Sequence, residues 1–121
     1  MPEKVDRLIR VNELLKRELA EAIGRGVSFS PGVLASVTEV RASVDLRNAT
    51  VYVSFFGGTP DQQEAMMREL IRAKAEFQRV IARKLGFKHT PVLLFKRDLR
   101  QEKGDRVLEI LNEAENGGKD S

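Results

Sequence analysis

The chain has no cysteine and no tryptophan, and one histidine and one tyrosine in 121 residues. The missing cysteine excludes disulfides, thiolate zinc sites and cysteine nucleophiles together. A single histidine cannot build a histidine-based metal cluster. No apolar run approaches the roughly 18 residues a membrane span needs. The N-terminal MPEKVDRLIR has no apolar signal core, so export through a signal peptide is not expected. There is no GxxxxGK[ST] phosphate loop and no serine nucleophile elbow. His89, in KHTP, reads as a loop residue at a strand entry. Asp45 and Asp98 fall in connections, where turn and capping duties explain them better than acid–base work. The expectation is a protein without catalysis, cofactor or metal.

Hydrophobic residues make up 41% and charged residues 32%, which describes one soluble globular domain. The net charge is only +3, but it is unevenly spread. Residues 1–67 hold eight Lys/Arg against nine Asp/Glu. Residues 68–106 hold twelve against five, and residues 107–121 one against four. A basic third of a chain suggests a polyanion as partner.

Over about 5–23, Val5, Leu8, Ile9, Val11, Leu15, Leu19, Ala22 and Ile23 recur at helical spacing, and Gly24 and Gly26 end the pattern. GRGVSFSPGV (24–33) reads as a loop. VLASVTEVRAS (33–43) and ATVYVSFF (49–56) are strand candidates joined by VDLRN, short enough for an antiparallel hairpin. Thr59 caps a following helix, with Pro60 and Asp61 in its first turn. That helical pattern runs to about Leu85, marked by Met66, Leu70, Phe77, Ile81 and Leu85, and Gly86 closes it. PVLLFK (91–96) is a third strand. The plan is α+β, with helices covering one face of a small sheet. Val107, Leu108, Ile110 and Leu111 have the spacing of a short docking helix, placed at 105–114, and disorder is expected after it.

On one continuous helical wheel, Arg68, Arg72, Arg79 and Arg83 fall within about 60° of one another. Ala75 shares that stripe, while Leu70, Phe77, Val80 and Ile81 lie across the helix. Lys84, Lys88, Lys96, Arg97 and Arg100 extend the positive charge, and Glu76 and Asp98 are the only acids between residues 72 and 100. Guanidinium groups suit phosphate oxygens. With so few aromatics, recognition through phosphates and shape is expected rather than base-by-base stacking. The candidate RNA-binding residues are thus Arg68, Arg72, Arg79, Arg83, Lys84, Lys88 and Lys96.

Ser43-Val44-Asp45-Leu46 and Ala49-Thr50-Val51-Tyr52-Val53-Ser54 resemble the central signature of the bacterial ribosome-binding factor A family. Arg83, Leu85, Pro91, Leu93, Phe95 and Asp98 fit that family's basic helix end and following strand, and the N-terminal helix fits as well. The resemblance covers about residues 5–112. It implies a type II KH-like fold ordered α-β-β-α-α-β, with the domain at 1–97 and a charged tail at 98–121. It also implies that the long helix is two, joined at Ala73-Lys74-Ala75, where the family has Ala-x-Gly; here Ala75 replaces the glycine. Ser30-Pro31-Gly32 stands where the family has Asp-Pro-Arg, so no RNA contact by that arginine carries over.

For function the resemblance implies a cytoplasmic, non-enzymatic factor, expected to be monomeric, that binds the immature small ribosomal subunit through its rRNA. It would assist late maturation, including processing at the rRNA 5′ end, and support growth in the cold. Two other readings stay open from the residues alone: a KH-like binder of other RNAs, and a protein-interaction module that uses a sheet edge.

Overall fold

A computed structural model describes residues 2–26 and 32–100. The expected tail helix at 105–114, the disorder after it and most of the loop around 27–31 lie outside the described residues. The elements run α1 (Pro2–Gly26), β1 (Leu34–Ala42), β2 (Asn48–Phe56), α2 (Pro60–Arg72), α3 (Lys74–Leu85) and β3 (Val92–Arg97). This is the α-β-β-α-α-β order of the type II KH-like fold. Strands lie in the order β1-β2-β3, with β1–β2 antiparallel and β2–β3 parallel. The parallel pairing follows from connectivity: a turn joins β1 to β2, whereas α2 and α3 carry the chain back to start β3 beside the start of β2.

The central strand alternates from Ala49 to Val53, and beyond it Ser54 on the other face is buried as well. Ala49, Val51, Val53 and Phe55 are buried beneath the helices, and Leu93 and Phe95 of β3 join them across the ladder. Val37 and Val40 of β1 are both buried although three residues apart, a spacing that would put them on opposite faces of a regular strand. A bulge between Val37 and Glu39 resolves this: Val37 faces Val53, Glu39 faces Tyr52, and Thr38 is the extra residue.

On α1 the buried stripe is Val11, Leu15, Leu19 and Ile23, spaced strictly by four. Ile9, expected on the apolar side, is 55% exposed, about 200° around the helix from Val11. Asn12 fastens the helix to the sheet, its Oδ1 accepting from the Ala42 amide at 2.8 Å. Phe77 of α3 meets Phe95 edge-to-face at 5.9 Å between ring centroids.

Thr59 caps α2 as expected. Its hydroxyl accepts from the Gln62 amide at 3.1 Å, and the Gln62 side chain accepts from the Thr59 amide at 2.8 Å. Gly86 closes α3 in the left-handed conformation. Gly57 is obligatory, because with φ +78° a Cβ would stand 2.2 Å from the Gly32 carbonyl oxygen.

Candidate nucleic-acid interface

The helical pattern that reads as one segment is two in the structure. α2 ends at Arg72, Ala73 adopts φ −82° and ψ 4°, and α3 starts at Lys74. The Ala73 amide donates to the Glu69 carbonyl at 3.0 Å, and its own carbonyl accepts from Phe77 at 3.0 Å. The break is therefore hydrogen-bonded on both sides, with only Ala73 leaving helical geometry. Ala75 lies inside α3 as ordinary exposed helix, so no glycine is needed there.

The break alters how the arginines are grouped. A continuous wheel does not run through Ala73, so the four arginines form two pairs rather than one ruled stripe. Arg68 and Arg72 are four apart on α2, and Arg79 and Arg83 four apart on α3; all four are exposed. Met66 and Leu70 of α2, and Phe77 and Ile81 of α3, are buried against the sheet.

Within each pair one arginine is already engaged. Arg72 donates to Glu69 at 2.7 Å and Arg79 to Glu76 at 2.8 Å. Arg68 and Arg83 have no hydrogen-bond or ion-pair partner among the described residues. Lys84 Nζ sits 3.6 Å from Glu18 Oε1, on a carboxylate buried between α1 and α3. That oxygen has no hydrogen-bond partner, so this long ion pair is what meets it. Lys84 is thus partly committed to the fold.

Lys88 is exposed in the α3–β3 loop with His89. That loop and the β1–β2 turn border a shallow cleft of about 710 Å³ containing Arg47 and Phe87. Lys96 is elsewhere: it pairs with Tyr52, between buried Phe95 and half-buried Arg97, and so projects from the helix-free face of the sheet. The fold therefore brings the four arginines and Lys84 onto the helical layer, leaves Lys88 at one end of the sheet, and turns Lys96 to the other side.

Opposite the helices lies a charged cluster that the sequence reading did not assemble. Arg41 and Arg100 hold their guanidinium carbons 5.7 and 5.5 Å from the Tyr52 ring centroid. Glu39 bridges them, accepting from Arg41 Nε and, at 2.6 Å, from Arg100. Hydrogen bonds from Arg41 and then Arg100 hold the Glu39 carboxyl below its ordinary range. The Tyr52 ring is thus already contacted by two cations. Arg41 and Arg100 lie 59 positions apart, so only the sheet register could reveal their meeting.

Asp98 takes the capping role expected of it, and a further one. It is 5% exposed and accepts from the Arg100 amide at 3.0 Å, the Arg100 guanidinium at 3.1 Å and the Thr38 hydroxyl at 2.5 Å. Those donors, Arg100 first and Thr38 second, push its carboxyl far below the ordinary aspartate range. The bulge residue Thr38 is what reaches it. Asp45 accepts from the Ser43 hydroxyl at 2.7 Å and the Arg47 amide at 3.1 Å, which braces the turn holding Leu46 at φ +60°. Among the described residues no group of three or more His, Asp or Glu could hold a metal ion.

A family model described as ribosome-binding factor A matches residues 7–111. The chain is 35% identical over 113 residues to the ribosome-binding factor A of Gloeobacter violaceus, covering 91% of this chain and 87% of that protein. It is 41% identical over 100 residues to that of Ruegeria pomeroyi, covering 80% and 75%. The crystal structure of ribosome-binding factor A from Thermus thermophilus superposes with a TM-score of 0.63 at 30% identity, covering 74% of this chain and 93% of that one. A homology model of the Thermus thermophilus factor, fitted into a cryo-EM map of a 30S–RbfA complex, gives 0.61 at 31% identity, covering 72% and 90%. With both sequence and fold in agreement over most of its length, the chain belongs to the ribosome-binding factor A family.

Proposed function

We propose that this protein binds the small ribosomal subunit through its rRNA and acts as an assembly factor in late maturation, including processing at the rRNA 5′ end. The observation that carries the reading is the match to the factor placed in the 30S complex, which covers most of this chain. The exposed arginine pairs either side of the Ala73 break supply the phosphate-binding chemistry. Arg68 and Arg83 offer guanidinium groups with no partner among the described residues; Arg72 and Arg79 exchange a carboxylate for a phosphate on binding. Lys84, Lys88 and Lys96 add to the field. The protein works by occupying rRNA rather than by bond chemistry, in the cytoplasm, as a monomer, and its loss is felt most in the cold.

Co-sedimentation of the purified protein with small subunits, large subunits and joined ribosomes, at two salt concentrations, tests this. Selective, salt-sensitive binding to free small subunits is expected. Reversing Arg72→Glu with Arg79→Glu should weaken that binding and leave the fold intact. Equal binding to every particle, or indifference of this double variant across a salt titration, refutes the assignment.

A further inference from the structure

The cleft at one end of the sheet is built by two pieces of chain that the fold ties together. The Val92 amide donates to the Arg47 carbonyl at 2.8 Å, which fixes the β1–β2 turn to the start of β3. Asp45 braces that turn through the Ser43 hydroxyl and the Arg47 amide. On the other wall Gly86, in the left-handed conformation, turns the chain out of α3 into Phe87. The volume of about 710 Å³ is that of a small-ligand site. Two other hollows are smaller. One beside Leu8 and Val44 is about 140 Å³. One at Tyr52 is about 240 Å³, and Glu39 and Asp98 already hold its Arg41 and Arg100.

The lining combines apolar surface with cations that the fold leaves largely free. Leu46 and Phe87 are half-buried against the core, and Val92 is 46% exposed. The Arg47 side chain is 82% exposed and approaches Asp45 only loosely, at 3.9 Å. Lys88 is exposed and has no partner among the described residues. Asp45 is the one acid in the lining. Its carboxylate is occupied by the Ser43 hydroxyl and the Arg47 amide, which hold it below its ordinary range. The last turn of α3, just before Gly86, carries Arg83 and Lys84. Positive charge therefore continues from the helical layer to the cleft.

We propose that this cleft holds one unstacked nucleotide of single-stranded rRNA, its base against Phe87 and its flanking phosphates on Arg47 and Lys88. That the strand is rRNA rests on the small-subunit reading above. An aromatic ring beside exposed cations suits single-stranded RNA, where each base offers a flat apolar face between two anionic phosphates. A duplex cannot use the ring, because its bases are stacked inside. The arginine pairs on α2 and α3 can read phosphates and shape; the cleft adds a place for one base. It differs from the cluster at Tyr52 in that no acid bridges its two cations, so a phosphate has no firm ion pair to displace.

The probes are an RNA hexamer of adenosine, the same hexamer with its bases removed, adenosine monophosphate, and purified small subunits, each with the full chain. Phe87→Leu keeps an apolar side chain against the core and removes the aromatic plane, and its unfolding is measured alongside. It should weaken the hexamer at least about fivefold and leave the abasic strand unchanged. Arg47→Gln with Lys88→Gln should weaken both strands and flatten the log–log salt slope by roughly 1.4. Both variants should bind small subunits more weakly. Equal binding of the two strands by the unaltered protein overturns the proposal, and so does a folded Phe87→Leu variant that holds the hexamer normally. Should Phe87→Leu not fold, the comparison of the two strands decides together with the Arg47 and Lys88 variant. Monophosphate bound as tightly as the hexamer assigns the cleft to a free nucleotide and overturns the rRNA source. Weakened subunit binding with hexamer binding untouched assigns the cleft to a ribosomal protein and overturns the proposal as well. If the unaltered protein ignores small subunits yet holds the hexamer through Phe87, the ribosomal reading fails and the nucleotide site stands.

Discussion

Replacing Glu69 and Glu76 by glutamine should make this protein bind small subunits more tightly. Each acid is ion-paired three residues along its helix, with Arg72 and Arg79 at 2.7 and 2.8 Å. All four side chains are about half or more exposed, so each pair is worth only about 0.3–0.5 kcal/mol. A phosphate that takes over either arginine must first displace its carboxylate. Removing both competitors therefore returns roughly 0.6–1 kcal/mol to binding, about a three- to fivefold gain in affinity at low salt. Losing two negative charges facing a polyanion acts in the same direction. The assay is co-sedimentation or filter binding between about 50 and 200 mM salt, the range over which phosphate contacts are strongly screened. The gain should shrink as salt rises. In the reference variant, Arg72→Ala with Arg79→Ala, the log–log salt slope should flatten by roughly 1.4–1.8. Glu76 lies in the first turn of α3, so Glu76→Gln also costs about 0.3–1 kcal/mol of helix-end stabilisation, and unfolding must be measured alongside. Unchanged or weaker binding by a folded double glutamine variant would refute the idea that these arginines hold phosphate.

The remaining predictions concern the fold. Asp98→Ala leaves Thr38 and Arg100 without their shared acceptor and should cost about 2–4 kcal/mol by chemical denaturation. The Asp98 carboxyl is depressed from 3.8, so its stabilising contribution is present above about pH 4 and is lost as the pH falls below that; Asp98→Asn should flatten this acid limb of the stability profile. Ile81→Ala, at a fully buried site under the sheet, should destabilise by about 2–5 kcal/mol with subunit affinity unchanged while the protein remains folded. Thr59→Ala removes half of the capping box and should cost about 1 kcal/mol, read as a lowered melting temperature.

Most elements were legible because their signals are local. The strand alternation of Val51, Val53 and Phe55, the Thr59 cap and the Gly86 stop each reside in a few consecutive residues, and all three stand in the structure. The two-helix division was not visible in periodicity, since Met66, Leu70, Phe77 and Ile81 keep helical spacing through Ala73; it came from the family resemblance. The β1 bulge left a trace, the odd spacing of two valines, but only the β2 register shows which residue is extra. The candidate site was legible by composition and not by placement. Sequence alone found every basic residue, yet could not tell that Lys96 faces away from the arginines or that Lys84 lies against buried Glu18.

Local pattern was enough for the succession of helices and strands apart from the division at Ala73, for the alternation of Val51, Val53 and Phe55, and for the concentration of positive charge in one third of the chain. These depend on period and composition, which neighbours in the chain share. Tertiary structure alone decided which charges remain available. Glu39, Arg41, Tyr52 and Arg100 meet because the antiparallel pairing and the turn after β3 superpose them, and Thr38 reaches Asp98 because a bulge turns it there. Hydrogen bonds and ion pairs depend on distance through space, which positions along the chain do not reveal.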